Sequence, residues 1–436
     1  MTTFDRILPS IKEALSSFKE WPDLVPFLIN RDLNGRVRIV LEEKWQEQAE
    51  TANRLAQAVS ERLGVHGFPA DRSILYEPSL DEVKQGASCF EVDGFDGVTV
   101  VDRLAVETDW SKIAPVAPGA PRIVFFSIKG GVGRSTASAV AAWSLAQSGK
   151  RVMVLDLDLE SPGLSSSLLP EDRRPAYGIT DWLVEDLVDN GAAVFENMVA
   201  RSELSHDGEI DVVPAHGKDP GEYVAKLGRV WMPKIDERGL RENWSMRLNR
   251  LLSELEKRWQ PDVLLIDSRA GIDEVASACV TDLGAKEVLL FALDGEQTWS
   301  GYDILFRHWH RTGVMRDIRE RLQFVGAMIP EVNAAEYLSG LCERAWAAFA
   351  ENLYDEVPAG KTSDGYFSFD QGDESAPHYP WPIRWHRGFA ALQSIHARFQ
   401  RIDERDLMGI FGPLVEGIQT FVGEDGEHHG RGQTDS

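Results

Sequence analysis

Six short apolar runs, separated by segments of helical character, constrain the fold of this 436-residue chain more than any other feature. The runs are RIVFFSI, RVMVLDLD, IDVVPA, DVLLIDS, EVLLFALD and FVGAMIP. A strand with one face in water alternates apolar and polar residues, whereas nearly every position in these runs is apolar. Such runs are typical of strands that are covered on both faces of a sheet.

The order of these segments predicts an α/β fold with a doubly wound, mostly parallel sheet. Helical patterns such as STASAVAAWSLAQSG lie between the runs, and right-handed strand-helix-strand crossovers build that sheet. We predict this domain over residues 122–422, with an insertion at about 354–380. We predict a smaller α+β domain over residues 1–112 and a linker over the proline-rich residues 113–121. The polar residues 423–436 are predicted to form a disordered tail.

Composition restricts the classes of function. The formal net charge of −24 and the pI near 4.9 oppose diffuse attraction to nucleic acid or anionic membranes, although a local basic patch is compatible with them. No run approaches the roughly 20 apolar residues that a membrane span needs. The cysteines Cys89, Cys279 and Cys342 are far apart and form no CxxC motif, which argues against a disulfide framework or a zinc site. We therefore expect a cytoplasmic protein with no membrane association.

A glycine-rich loop, SIKGGVGRST, follows the first apolar run and opens an alanine-rich helix. Gly130, Gly131 and Gly133 permit backbone conformations that other residues avoid, so successive N–H groups can converge on a phosphate. The amino terminus of the helix adds partial positive charge. This strand, loop and helix order is the context that a phosphate site requires, and it predicts a nucleotide-binding loop.

The loop resembles that of the deviant Walker A ATPases of the ParA/MinD type, which read KGGxGK followed by Ser or Thr. This chain reads Lys129-Gly130-Gly131-Val132-Gly133-Arg134-Ser135-Thr136. The resemblance implies that these eight residues bind ATP together with Mg²⁺. Lys129 would reach the partner's nucleotide across an ATP-linked homodimer, Ser135 would ligate Mg²⁺, and Thr136 would reach the α-phosphate.

Two further motifs extend the resemblance over roughly residues 120–335. VMVLDLDLESPGL resembles the family segment in which a strand ends in Asp-x-Asp. It implies that Asp156 helps to hold the water shell of Mg²⁺ and that Asp158 positions the attacking water. PDVLLIDSRAGID resembles the Walker B strand and the second switch, with Asp267 bonded to a magnesium water and Gly271 sensing the γ-phosphate.

Two arginines stand where the family usually has other residues. Arg134 replaces the second lysine of the loop, and Arg269 replaces a proline. Because a guanidinium is bulkier and planar, we expect nucleotide binding to persist and contacts to the transition state to change. Two interpretations of Arg134 stay open, either slow ATP hydrolysis or an ATP-bound scaffold without useful turnover. Arg269 could contact phosphate or a partner, or form a surface salt bridge.

The leading functional prediction is a slow ATPase that acts as a nucleotide-dependent dimerisation switch. The retention of Asp158 and Asp267 favours hydrolysis over the scaffold. A protein partner is expected to bind the amino-terminal domain or the switch surface, which is the surface that changes with the bound nucleotide. A ligase or synthetase on the same fold ranks last, because no glutaminase-like cysteine and histidine pattern is present. The resemblance implies adenine as the base, with contacts expected in residues 379–385.

Overall fold

The computed structural model describes residues 3–104, 109–204, 207–235, 239–358, 365–390 and 404–424. Its internal contacts divide the chain into two compact units, Met1–Lys112 and Ile113–Ser436. The first unit contains a small mixed sheet, and the second contains a larger sheet that is mostly parallel.

Helices and strands are interspersed along the first unit. Its helices are α1 (Ile7–Ser17), α2 (Ala49–Leu63) and α3 (Leu80–Lys84), with 3-10 turns at Phe4–Arg6, Trp21–Leu24, Glu43–Gln48, Gly64–His66 and Ala70–Arg72. Its strands are β1 (Phe27–Arg31), β2 (Val37–Glu42), β3 (Ile74–Glu77), β4 (Ser88–Glu91) and β5 (Val98–Asp102).

The sheet of the first unit has the order β3-β2-β1-β5-β4 in the part of the chain described. Strand β1 is antiparallel to β2 and parallel to β5. Helices α1 and α2 cover one face, where Leu55 and Val59 pack with Ile29 in the main apolar cluster. Leu28 points to the opposite face and packs with Leu80 of α3 in a smaller cluster.

The second unit repeats strands and helices over most of its length. Its strands are β6 (Arg122–Ser127), β7 (Arg151–Asp156), β8 (Ala200–Arg201), β9 (Glu209–Val213), β10 (Lys234–Ile235), β11 (Arg241–Glu242), β12 (Val263–Ala270), β13 (Glu287–Ala292), β14 (Leu322–Ile329) and β15 (Trp381–Arg384).

The helices of the second unit range from single turns to more than five turns. They are α4 (Arg134–Gln147), α5 (Leu164–Leu168), α6 (Ile179–Asp186), α7 (Gly191–Phe195), α8 (Tyr223–Val230), α9 (Trp244–Trp259), α10 (Glu274–Ser277), α11 (Glu296–Thr312), α12 (Met315–Ile318), α13 (Ala334–Asn352), α14 (Arg387–Ala390) and α15 (Glu404–Glu424). A π-helical turn spans Ala278–Asp282, and 3-10 turns span Glu171–Arg173 and Arg319–Arg321.

Within the described residues the large sheet has the order β15-β14-β13-β6-β12-β7-β9-β8. Its neighbouring strands are parallel, apart from the antiparallel pair β8 and β9. Strand β6 lies in the interior, and later strands add on both sides of it. This arrangement confirms the predicted α/β, doubly wound fold. The six apolar runs form β6, β7, β9, β12, β13 and β14.

Strand β6 illustrates why the runs are apolar at every position, since all of its residues are buried. Phe125 lies in the apolar cluster that joins the sheet to α4 and α15. Phe126 points to the opposite face, where its ring packs edge-on against Tyr302 of α11 with centroids 6.2 Å apart. Helices therefore cover both faces of the sheet at its centre.

Strand β15 was not among the predicted strands. It pairs in parallel with β14 at the edge of the sheet, although it contains Pro382. Proline cannot donate a backbone hydrogen bond and is tolerated at a sheet edge. Trp381 of this strand packs against Phe421 of α15, with ring centroids 6.3 Å apart. A short edge strand with a proline gives no periodic signal in the sequence.

The segment predicted as a linker, residues 113–121, lies along the second unit. The N–H groups of Ala114 and Ala117 donate to the carbonyls of Thr281 and Gly284, at 2.7 and 2.9 Å. At the other end of the chain, α15 continues to Glu424, so the predicted tail begins with two helical residues; its remainder lies outside the described residues. None of the helices described is both long and apolar enough to cross a bilayer.

Gly417 allows α15 to approach the indole of Trp381, because a Cβ at this position would lie 2.4 Å from the ring. We expect Gly417→Ala to lower the free energy of unfolding by about 1–3 kcal/mol through overpacking. Gly412→Ala on the same helix meets nothing closer than 3.8 Å and should be neutral or stabilising, by up to about 1 kcal/mol. Denaturant unfolding measures both variants, and equal stabilities would contradict this packing.

Glu287, at the start of β13, is 4% exposed, and burial raises the pKa of its carboxyl well above the ordinary value, while Lys286 opposes the shift. The folded protein therefore retains a proton that the unfolded chain releases at lower pH. This group contributes stability below the unfolded pKa and loses it as the pH rises through the folded pKa. We expect Glu287→Gln to stabilise the protein more at about pH 8 than at about pH 4.

Denaturant curves at the two pH values test this expectation, with the exposed Glu416→Gln on α15 as the matched control. The same stability difference between wild type and Glu287→Gln at both pH values would show that the burial of Glu287 does not shift its titration.

Candidate nucleotide site

The glycine loop connects β6 to α4 at the carboxyl edge of the sheet. Gly131 and Gly133 have φ angles of 75° and 83°, in the left-handed region that favours glycine. A Cβ at Gly130 or Gly131 would meet no atom within 4 Å, so the loop borders open space. Helix α4 begins at Arg134 and directs its amino terminus to this space, where backbone N–H groups and the helix dipole favour an anion.

The other loop residues predicted for nucleotide binding differ in their exposure to solvent. Lys129 is exposed and forms no ion pair with the described residues. Val132 is buried, at 3% exposure. Ser135 and Thr136 are partly buried in the first turn of α4. The hydroxyls that the sequence assigned to Mg²⁺ and the α-phosphate thus lie beside the glycine loop.

Asp156 and Asp267 stand side by side at the same edge of the sheet. They occupy paired positions in the parallel strands β7 and β12, and both are fully buried. Asp158 follows two residues after β7, outside the strand. The carboxylates of two neighbouring strands and of the loop after β7 therefore meet close to the start of α4, because the carboxyl ends of parallel strands share one edge.

Burial and mutual repulsion raise the energy of these charges. The pKa of Asp156 is raised to about 7, first by burial and then by the charge of Asp267, while the N–H of Ser165 opposes the shift. Burial also raises the pKa of Asp158, against the attraction of Arg134. The Oδ1 of Asp156 and the Oδ2 of Asp267 are buried and have no hydrogen-bond partner among the described residues. A cation at this position would lower the energy of the ionised cluster.

The guanidinium of Arg134 contacts this carboxylate cluster. Its Nε–H donates to Oδ1 of Asp267 at 2.7 Å, one Nη–H donates to Oγ of Ser127 at 2.8 Å, and the other reaches Oδ2 of Asp158 at 3.5 Å. The side chain is only 7% exposed. The sequence predicts a phosphate-binding substitute for lysine, and in the structure its guanidinium pairs with two of the three carboxylates.

Gly271, which the resemblance predicts to sense the γ-phosphate, is bonded to the end of β6 in the structure. Its N–H donates to the carbonyl of Ser127 at 2.9 Å, and its φ is 102°. Strand β12 continues through a bulge to Ala270, with Arg269 at the position where the resembled family has proline. Arginine keeps the backbone N–H that proline lacks, so it is compatible with a strand that continues to Ala270. Sensing of a γ-phosphate by Gly271 requires its bond to Ser127 to open.

The predicted magnesium residues Ser135, Asp156 and Asp267 suit an ion held partly through water. The two buried carboxylate oxygens that lack a partner in the described part of the chain can accept hydrogen bonds from metal-bound waters, and hard oxygen ligands match Mg²⁺. No group of three or more His, Cys, Asp or Glu side chains in the described part of the chain is arranged as a direct ligand set. A nucleotide phosphate and a hydroxyl would therefore have to supply inner ligands.

A cavity of about 680 Å³ lies at the end of β14 and β15. Pro330, Arg384, Trp385 and His386 are among the residues that line it. Met328, two residues before Pro330, has a φ of 52°, and its terminal methyl group lies 3.6 Å from a Cβ built on Gly133. The cavity lining thus includes a residue two positions after Met328, whose side chain approaches Gly133.

Sequence reasoning missed Ser127, Met328 and Tyr223 as parts of this site. Ser127 ends β6 immediately before the loop, a position that could have drawn attention to its hydroxyl. Tyr223 donates from its hydroxyl to the carbonyl of Leu159, next to Asp158. Tyr223 lies 64 residues further along the chain than Leu159, and no local pattern links them.

Residues 120–183 match the model of a ParA family described as NUBPL iron-transfer P-loop NTPase. This segment contains the glycine loop together with Asp156 and Asp158.

A curated relative matches over a similarly short distance. The arsenical pump-driving ATPase 1 of Aquifex aeolicus is 43% identical over 67 residues, which cover 15% of this chain and 17% of that protein. The match therefore spans about a sixth of the length of that relative.

Solved structures of low sequence identity cover more of the chain. The structure of pNOB8 ParA bound to nonspecific DNA is 17% identical, covers 71% of this chain and 99% of its own, and has a TM-score of 0.43. MinD of Aquifex aeolicus is 16% identical, with 69% and 98% coverage and a TM-score of 0.41. MinD of Pyrococcus horikoshii complexed with Mg-ADP is 17% identical, with 69% and 96% coverage and a TM-score of 0.40. The second unit is thus similar to a ParA family of P-loop NTPases over residues 120–183, and its large sheet is of the α/β class.

The ion pairs of Arg134 generate a stability prediction. Removal of the guanidinium leaves Asp267 buried without a counter-charge, so we expect Arg134→Gln to lower the free energy of unfolding by about 3 kcal/mol. Adding Asp267→Asn should recover part of this loss, which gives a coupling energy of about 2 kcal/mol. The exposed pair of Arg173 and Glu203 offers a control, since Arg173→Gln should cost less than about 1 kcal/mol. Additive effects of the Arg134 and Asp267 substitutions in denaturant unfolding would contradict the pairing.

Proposed function

We propose that residues 122–422 bind ATP with Mg²⁺ and hydrolyse it slowly, in the manner of a ParA/MinD-type switch. The observation that carries this proposal is the meeting of three elements at one edge of the sheet. These are the open glycine loop, the amino terminus of α4, and the carboxylates of Asp156, Asp158 and Asp267. A polyanion and a cation are the ligands that satisfy these opposite charges together.

Each part of the site has a distinct task in this proposal. The backbone of Gly130 to Gly133 surrounds the phosphates, and Lys129 adds an exposed positive charge. Ser135, Asp156 and Asp267 hold Mg²⁺ and its waters. When bound, Mg²⁺ supplies concentrated positive charge beside the phosphates. Asp158 orients the attacking water, so its position decides the rate of hydrolysis.

The cavity at the end of β14 and β15 is the proposed site of the base. Pro330 and Trp385 offer apolar surface to a flat ring, and Arg384 and His386 offer polar groups at its edge. Aromatic and apolar surface with a few polar groups is typical of pockets for small ligands. Adenine is the base that the family resemblance implies.

The contacts of Arg134 explain why hydrolysis would be slow. To stabilise charge on the phosphates, the guanidinium has to leave Asp267 and Asp158, and the site has to replace those buried ion pairs. The same observation favours the second candidate, an ATP-bound scaffold without turnover, because a guanidinium that stays on the carboxylates cannot act in the transition state.

In the proposed switch, ATP joins two copies of the chain, and Lys129 of each copy reaches the nucleotide of the other. Hydrolysis then separates the copies. Residues 1–112 or the switch surface would select a protein partner in the cytoplasm. The net charge of −24 argues against nucleic acid as that partner.

Calorimetry with ATP and Mg²⁺ tests nucleotide binding, and Gly131→Val is the informative variant. Gly131 has a left-handed φ of 75°, where a β-branched residue is strained, and its side chain would enter the proposed phosphate site. We expect the wild type to bind and the variant to lose at least about tenfold in affinity. Gly149→Val introduces the same strain at a φ of 84° outside the site and should bind like the wild type. A wild type that releases no heat would refute the proposal.

Phosphate release distinguishes the switch from the scaffold. Because lysine is a compact cation that can reach phosphate without a planar fork, we expect Arg134→Lys to raise the turnover number by about 10-fold to 100-fold. Turnover absent in the wild type and restored in Arg134→Lys would support the scaffold. A variant slower than an active wild type would contradict the role of Arg134 as a brake.

Analytical ultracentrifugation with and without ATP tests the dimer. We expect ATP and Mg²⁺ to double the mass of the wild type, and Lys129→Ala to bind nucleotide but remain a monomer. Because Lys129 makes no ion pair with the described residues, its loss should not destabilise the fold. An unchanged mass of the wild type with saturating ATP would rule out the nucleotide-linked dimer.

A further inference from the structure

Three consecutive residues after β7 are each held by a different part of the second unit. Asp158 contacts Arg134 at the start of α4, at 3.5 Å. The carbonyl of Leu159 accepts a hydrogen bond of 2.6 Å from the hydroxyl of Tyr223 in α8. Glu160 pairs with Arg269 at the end of β12, also at 2.6 Å. The loop that carries Asp158 is therefore held from three directions.

The hydroxyl of Tyr223 accepts one hydrogen bond and donates another. The hydroxyl of Tyr223 accepts from Oγ1 of Thr180 at 3.4 Å and donates to Leu159. Leu159 is fully buried, so its carbonyl lies where water competes poorly for the hydrogen bond. The contact fixes the backbone immediately after Asp158.

The contact from Arg269 joins two segments. One Nη lies 2.6 Å from Glu160, and the Nε lies 3.2 Å from Asp273, which precedes α10. Arg269 thus links the loop after β7 to the turn after β12. The planar fork of arginine can serve two carboxylates in different directions, which the point charge of lysine does less well.

We infer that Arg269 and Tyr223 are positioning residues, which hold the 158–160 loop so that the carboxylate of Asp158 is already directed into the site before nucleotide binds. This inference rests on the proposed function for the role of Asp158. Among the described residues neither side chain forms a hydrogen bond or ion pair with the glycine loop, so their loss should misplace Asp158 without weakening the phosphate contacts. A displacement of a catalytic group by about 1 Å can lower a rate by up to about 100-fold.

Hydrogen exchange of the full chain without nucleotide measures the positioning directly. The N–H of Ser161 bonds to Asp158, and the N–H of Ser165 bonds to Asp156, so peptides that cover 157–165 report on the loop. We expect Arg269→Gln and Glu160→Gln each to accelerate this exchange by about two- to fivefold. The effect is small because a half-exposed ion pair contributes little free energy. The double variant should exchange no faster than the faster single one, because both remove the same pair.

Matched variants separate positioning from a general loss of charge or stability. Arg307→Gln removes an exposed arginine that pairs with Asp303 at 2.9 Å, and should leave the 157–165 peptides unchanged. Arg269→Lys should recover part of the protection, and Tyr223→Phe should accelerate exchange without any change of charge. Equal exchange in the wild type, Arg269→Gln and Tyr223→Phe would overturn the inference.

Steady-state phosphate release then gives a second readout. In Arg269→Gln we expect kcat to fall by about tenfold, with the affinity for ATP within about twofold of the wild type. An equal loss of kcat and affinity, or no loss of kcat in an active enzyme, would also overturn the inference. If the wild type binds no ATP in calorimetry but the exchange changes as expected, the proposed function fails while the three contacts to the loop are upheld.

Discussion

The paired burial of Asp156 and Asp267 is the constraint around which the second unit is arranged. Register places them beside each other on neighbouring parallel strands, and neither side chain reaches solvent. Two ionised carboxylates in such a position repel each other and lack water to solvate them, so positive charge must be supplied from nearby. The amino terminus of α4 and the guanidinium of Arg134 supply part of that charge from within the chain.

The two arginines that depart from the resembled family act on the same region. Arg134 connects Asp158 to Asp267, and Arg269 connects Glu160 to Asp273. Each arginine therefore joins the loop after β7 to β12 or to the turn that follows it. A site that pairs part of its own charge in this way is held in place before a ligand binds, but a ligand must break some of these contacts.

The sequence contained most of the information for the large sheet. Strands buried on both faces lose the apolar and polar alternation and become continuous apolar runs, and each of the six runs became a strand. Strand β15 gave no such signal, because it is short, contains Pro382, and is a strand only through its pairing with β14. The glycine loop and the carboxylates at the strand ends could also be located from sequence, since each lies at the end of an apolar run.

By itself, the sequence determined the α/β class of the large sheet, the segments that form its main strands, and the types of residue that follow those strands. Only the tertiary structure decided that Arg134 turns to Asp267, that the N–H of Gly271 is bonded to Ser127, and that Tyr223 holds Leu159. Strand patterns arise from local periodicity and burial, which neighbouring residues encode. The direction of a side chain depends on partners that are distant in the sequence, and the folded chain alone brings them together.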